Sequence, residues 1–131
     1  MKMERLLICG DRDWKNFQFI LTKLSEFHQK TPVEVVIEGE ANGADMMARF
    51  AAERLGIPVL PFKANWGVYE RAAGPIRNQK MLKEGKPTRV WAFHNFIENS
   101  KGTKHMVGIS RKAGIPTEVF TEKELNSGKE S

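Results

Sequence analysis

Short apolar runs alternate along this chain with longer stretches whose apolar positions recur every three or four residues. Arg5-Leu6-Leu7-Ile8-Cys9 is the first run, closed by Gly10. Lys15 to His28 follows, with Phe17, Ile20, Leu21 and Leu24 at the i, i+3, i+4, i+7 spacing of one buried helical face. Thr31-Pro32 breaks that helix. Val33, Val35, Val36 and Ile37 then have the β-branched composition of a strand buried on both faces of a parallel sheet. A second helix is predicted from Met46 to Leu55, with Met47, Phe50, Ala51 and Leu55 on one side and Gly56 as its stop. Ile57 to Phe62 predicts a third strand, whose two prolines suit an edge position. Lys63 to Ala73 reads as a loop, and Gly74-Pro75 opens a third helix running to about Glu84. A fourth strand at Arg89 to Phe93, a polar loop at Asn95 to Lys101, a fourth helix at Thr103 to Ala113 and a fifth strand at Ile115 to Phe120 complete the pattern.

This alternation predicts an α/β fold: a mostly parallel sheet of about five strands with helices on both faces. Residues 1–122 are expected to form one domain and residues 123–131 a polar tail. In such folds ligands bind outside the carboxyl ends of the strands, where strand order reverses. Four loops lie at those ends, and glycine, tryptophan and polar residues crowd them.

Composition narrows the classes. Of 131 residues, 40% are hydrophobic and 28% charged, the balance of an ordinary globular domain. No apolar run approaches the ~20 residues of a membrane helix. The first residues have too short an apolar core for a signal peptide, so the expected location is cytoplasmic. The lone Cys9 excludes an intrachain disulfide and a cysteine-cluster metal site; His28, His94 and His105 have no ligand spacing. No metal and no cofactor are expected. The net charge of +5 favours anionic ligands without separating a nucleotide from a nucleic acid.

The loops carry the candidate chemistry. In the first, Gly10 lets the backbone approach closely, Arg12 offers a bidentate phosphate contact, and Trp14 is a candidate base-stacking residue. In the second, Glu38 closes a buried strand as a candidate ribose contact or base. Gly39, Gly43, Ala44 and Asp45 carry the chain into the second helix, whose unpaired first-turn N–H groups suit an anion, or for which Asn42 is a simple cap. In the third, Asn65-Trp66 and Gly74-Pro75-Ile76-Arg77-Asn78 stand out. Arg77, near a helix start, opposes the helix dipole unless an anion is nearby. Asn78 shares a face with Met81 and Leu82, an awkward place for an unused amide. In the fourth, Ser100-Lys101-Gly102-Thr103 places hydroxyls, a lysine and a glycine at another helix start.

The motifs GDRDW (Gly10–Trp14), EGEANGAD (Glu38–Asp45), ANW (Ala64–Trp66), AGPIRNQKM (Ala73–Met81) and SKGT (Ser100–Thr103) resemble, in order and spacing, the YspA-type branch of the SLOG superfamily. That superfamily also holds the LOG nucleotide phosphoribohydrolases and the DNA-processing protein DprA. The resemblance spans Arg5 to Phe120 and implies a Rossmann-like three-layer fold, a nucleotide-derived ligand and a possible homo-oligomer. Against the LOG pattern, Arg77 looks like the conserved arginine and Gly102-Thr103 like the Gly-Thr pair, but Met106 stands where a catalytic glutamate is expected. Asn65 replaces an aspartate frequent in the branch. The first reading is therefore a sensor or binding domain for a nucleoside phosphate or an ADP-ribose-like molecule. The second is an N-glycosidase acting on a nucleotide, with Glu38 and Arg77 as its catalytic candidates. Binding of single-stranded nucleic acid ranks lower, because no basic helix or aromatic-basic stripe is evident.

Overall fold

The structure, a computed structural model, describes residues 2–122; the tail expected over residues 123–131 lies outside the described residues. Its elements are β1 (Glu4–Gly10), α1 (Phe17–Lys30), β2 (Val33–Glu38), α2 (Ala44–Arg54), β3 (Val59–Pro61), α3 (Trp66–Tyr69), α4 (Ala73–Gly85), β4 (Arg89–Phe93), α5 (Gly102–Lys112) and β5 (Thr117–Phe120). The strands form one parallel sheet in the order β3-β2-β1-β4-β5. This is the Rossmann-like order expected of two strand–helix halves wound away from a central strand.

Alternation along the strands sorts the core into two layers. Leu6, Ile8, Val36, Trp91 and Phe93 point to the face covered by α1 and α2, with Ile20, Leu24, Ala48 and Ala51 opposite them. Leu7, Cys9, Ile37, Val90 and Ala92 point to the other face, against Met81, Met106 and Val107 of α4 and α5. Burying each such aliphatic side chain contributes about 1.5–3 kcal/mol. Arg5 fixes the distal end of α4: its Nε and Nη2 donate to the Gly85 carbonyl at 2.9 and 2.8 Å.

The predicted boundaries shift by a few residues. α2 starts at Ala44, and its cap is Gly43 with no side-chain hydrogen bond, so Asn42 does not cap it. β3 is shorter than the predicted strand and lies at the sheet edge. The stretch predicted as loop from Lys63 to Ala73 contains α3, capped by the Asn65 side chain, which accepts the Val68 N–H at 3.2 Å. A single 3₁₀ turn, Glu70–Ala72, links α3 to α4. Pro75 falls in the first turn of α4, where its missing N–H costs nothing. Among the described residues no helix is long and apolar enough to cross a membrane.

Candidate functional site

The sheet order reverses between β1 and β4, and a cavity of about 330 Å³ opens there, above the carboxyl ends of these strands. The loop after β1 contributes Gly10, Asp11, Arg12 and Asp13. His94 comes from the end of β4, Ser100 to Thr103 from the start of α5, Arg77 and Asn78 from α4, and Asp45 from α2. Cys9, Met81 and Met106 form its apolar floor. A second cavity of about 440 Å³ adjoins it, sharing Arg12, Ala41 and Arg77 and adding Glu40, Asn42, Lys63 and Trp66.

The walls are joined by one polar network. Arg77 reaches from α4 to β2's loop, where Nη1 donates to the Gly39 carbonyl at 2.6 Å, while Nε donates to Asn78 Oδ1 at 2.9 Å. Asn78, 2% exposed, passes the connection on: Nδ2 donates to the Gly102 carbonyl at 3.2 Å and lies 3.1 Å from His105 Nδ1. Arg77 is thus oriented by backbone and amide groups, and its remaining amino group, Nη2, has no hydrogen-bond partner among the described residues.

The two candidate helix starts differ. At α2 the N–H groups of Ala44 and Met46 already donate to the carbonyls of Asp11 and Ala41 at 3.1 and 3.2 Å. Gly43 makes this turn at φ +75°, with its α-carbon so close to the Asp11 carbonyl that a β-carbon would collide with it. At α5 the Thr103 N–H donates to Ser100 Oγ at 3.0 Å and the His105 N–H to the Lys101 carbonyl at 3.0 Å. Among the described residues nothing accepts from the N–H of Gly102 or Lys104. The free dipole end at this site is that of α5.

Three cavity groups have their hydrogen bonding or proton affinity set by their surroundings. His94 Nδ1 accepts the Phe96 N–H at 2.9 Å, which assigns the proton of the neutral ring to Nε2, 4.0 Å from Asp11 Oδ2. Asp45 accepts the Gly39 N–H at 3.1 Å and is pushed up to about 7 by burial, against the charge of Arg77 and with that of Glu38. Burial also pushes the Cys9 thiol up, so it stays protonated and unreactive.

The profile of the YspA, cpYpsA-related SLOG family matches residues 4–69. "Gene 61 protein" of Mycobacterium phage D29 is 34% identical over 127 residues, 92% of this chain and 99% of that protein. The chain belongs to the SLOG family so described. The matched residues supply the β1 and β2 walls and Trp66, while the α4 and α5 walls lie beyond them. DNA processing protein A (DprA) from Streptococcus pneumoniae has the same fold, with a TM-score of 0.68 at 15% identity over 91% of this chain. The chain spans 50% of that protein's length.

Within this SLOG fold, the two cavities gather Gly10, Arg12, Gly39, Asp45, Trp66, Arg77, Asn78, Ser100, Gly102 and Thr103. Other predicted site residues lie elsewhere. Trp14 is 2% exposed in an aromatic cluster, its ring 5.9 Å from Phe19 and 5.6 Å from Phe93, so it has no free face for a base. Glu38 is fully buried and faces α2: Arg49 Nη2 donates to its Oε2 at 2.7 Å, and the Glu40 N–H donates to its Oε1 at 2.7 Å. It lines neither cavity, and the same Arg49 amino group bonds Glu40 Oε1 at 2.8 Å. Gly43 and Ala44 support the loop from behind; Asn65 and Gly74 support Trp66, Gly74 lying beneath the ring edge. Asp11 and His94 were not singled out from the sequence. Each sits within two residues of a predicted strand end or helix start, the one signal that pointed to them.

Proposed function

We propose that this SLOG-family protein binds a phosphorylated nucleoside derivative across the paired cavities, as a sensor or binding domain. The observation that carries the reading is the α5 start. Its unpartnered N–H groups open on the cavity that Arg12 and Arg77 also line, an arrangement suited to a phosphate. Those two arginines continue into the second cavity, whose far wall is the half-exposed indole of Trp66, with the Arg12 guanidinium 5.8 Å from its ring. A ligand with an anionic end and a flat aromatic end matches that division: phosphate at α5, sugar near Ala41 and Arg77, base against Trp66.

Calorimetry against nucleoside mono- and diphosphates, cyclic nucleotides and ADP-ribose tests the reading. At least one is expected to bind saturably, and Trp66→Ala to weaken it tenfold or more, since base stacking contributes about 1–3 kcal/mol. Ribose 5-phosphate, which has no base, is expected to bind both proteins equally. No saturable binding across the panel by the folded protein contradicts the proposal.

Cleavage of the N-glycosidic bond of such a ligand is a second reading, supported by one observation: Asp11 and Asp45 place carboxyl groups on the cavity that Glu38 does not reach. Free base released from a nucleotide, and lost in Asp11→Asn or Asp45→Asn, is its signature; no base over a long incubation removes it.

A further inference from the structure

The cavity floor holds a carboxyl group that phosphate binding does not call for. Asp45 is 4% exposed. Its Oδ2 accepts the Gly39 N–H at 3.1 Å and, more weakly, the Ala41 N–H at 3.4 Å. Arg77 lies on the same side of Gly39, so that a β-carbon on this glycine would stand 2.6 Å from Arg77 Nη1 and 2.9 Å from Asp45 Oδ2. Among the described residues the carboxyl and the guanidinium nevertheless form no ion pair, and Arg77 spends its bonds on the Gly39 carbonyl and Asn78.

Every element around Asp45 can be asked what charge it brings. From α4 comes Arg77, the cation whose charge acts on it, while Arg12 and Asp13 of the loop after β1 and Lys101 before α5 line the same cavity. From β2 comes Glu38, and from β1 the neutral thiol of Cys9. Across the cavity stand Asp11 and the His94 ring. An anion that docks on Arg77 and the α5 start occupies the positive charge that offsets Asp45. It also sets a second negative charge in the cavity that Asp45 lines. Two like charges so placed do not both persist, and the group able to take a proton takes one.

We infer that Asp45 takes up a proton when an anion binds beside Arg77, so that the cavity accepts its phosphorylated ligand together with a proton. Geometry supplies the coupling, and the position of the free group near neutrality makes it effective at physiological pH. This inference rests on the anion-binding half of the proposed function and is independent of the nucleoside half. By linkage, affinity falls as pH rises above the free group's midpoint, by up to tenfold per pH unit.

Sulfate is the probe, because its charge is constant through the range. Titrations of the full-length, isotope-labelled protein at about pH 6, 7 and 8.5 would follow the Gly102 and Lys104 amide signals. Sulfate is expected to saturate them, with a dissociation constant that rises about tenfold from pH 7 to 8.5. In Asp45→Asn, which keeps the shape and an acceptor for the Gly39 N–H, the profile is expected to be flat. Calorimetry of the unaltered protein in buffers of different ionisation heat is expected to show net proton uptake, a reading that does not depend on the variant folding. A flat profile in the unaltered protein, zero proton uptake, or a slope that survives Asp45→Asn and so belongs to His94 or Asp11, overturns the inference. So does the absence of saturable sulfate binding at the lowest pH. If sulfate behaves as expected but no nucleoside phosphate binds more tightly than sulfate, the nucleotide reading fails and the proton coupling stands.

Discussion

Asn78 Nδ2 donates to the Gly102 carbonyl at 3.2 Å, and this bond ties α4 to the first turn of α5 across 24 residues of sequence. The orientation of the amide is forced. Arg77 Nε can only donate and the Gly102 carbonyl can only accept, so His105 must present an unprotonated Nδ1 to the remaining Asn78 proton. One buried side chain therefore sets both the guanidinium and the helix start that flank the cavity.

Asn78→Ala removes three hydrogen bonds, leaves Arg77 Nε without a partner and takes from the Gly102 carbonyl its only bond from outside α5 among the described residues. A loss of about 1–3 kcal/mol in urea unfolding is expected, with weaker sulfate and nucleotide binding in the fraction that stays folded. Asn78→Asp places a second acceptor against the Gly102 carbonyl and is expected to be no better. Unchanged stability in both would show that the network is not what holds α4 to α5.

Arg49→Ala separates stability from binding. It strips the partner from Glu38, which is fully buried and held at 2.7 Å, and from Glu40. Breaking a buried pair from one side costs about 3–5 kcal/mol, toward the lower figure here because Arg49 is partly exposed. Neither Arg49 nor Glu38 lines the cavities. Chemical denaturation is expected to register the loss, and calorimetry on the folded variant an affinity within about threefold of the parent. A large affinity loss at unchanged stability would return Glu38 to the ligand.

Asp45 also makes stability depend on pH. Its folded-state value is raised from 3.8 to about 7, so between those limits the folded protein binds more protons than the unfolded chain. Stability is then greatest below the lower value and is lost as pH rises toward the upper one. Asp45→Asn is expected to flatten this part of the profile and to be more stable than the parent above neutral pH, measured by urea midpoints in matched buffers. A parent profile that rises with pH through this window, with no difference in Asp45→Asn, contradicts the placement of Asp45 as a buried, weakly compensated acid.

Two glycines in one loop are expected to fail differently. At Gly39 an added β-carbon meets the ends of two side chains, Arg77 Nη1 at 2.6 Å and Asp45 Oδ2 at 2.9 Å, which give way more readily than backbone. Gly39→Ala should thus cost little stability, about 1 kcal/mol or less, but at least tenfold in anion affinity, because Arg77 loses its seat on the Gly39 carbonyl. At Gly43, with φ +75°, the β-carbon meets the Asp11 and Arg12 backbone, which cannot move alone. Gly43→Ala is expected to destabilise by more than about 2 kcal/mol. Equal stability losses at the two positions would contradict this division.

Much of the fold was legible because the strands follow period two or run apolar, and the helices repeat at 3.6. Val35 to Ile37 could hardly be anything but a central strand, and Ile20 and Leu24 mark the buried face of α1. Helix α3 escaped because four residues carry no periodicity; its only mark was the Asn65 cap. The site was legible as loops at strand ends, but the direction of each side chain was not. Trp14 sits among glycine and charge like a ligand-stacking residue, yet the ring of Phe19 on the next helix and that of Phe93, remote in sequence, enclose it. Glu38 ends its strand where a ribose contact is expected, yet Arg49 claims it, and their separation of 11 residues follows no helical rule. Asp45 reads in the sequence only as a residue leading into the second helix, and its burial is what alters its proton affinity.

The most direct test maps bound nucleotide onto the backbone. Amide signals of the labelled protein are followed on addition of the tightest-binding nucleoside phosphate found by calorimetry. The largest shifts are expected at Gly102 and Lys104, at Arg12 and Asp13, and at Gly39 to Ala41, with the Trp66 indole signal moving only when the ligand carries a base. Shifts confined to other surfaces, or none at the α5 start, would contradict a phosphate held between that helix and the two arginines.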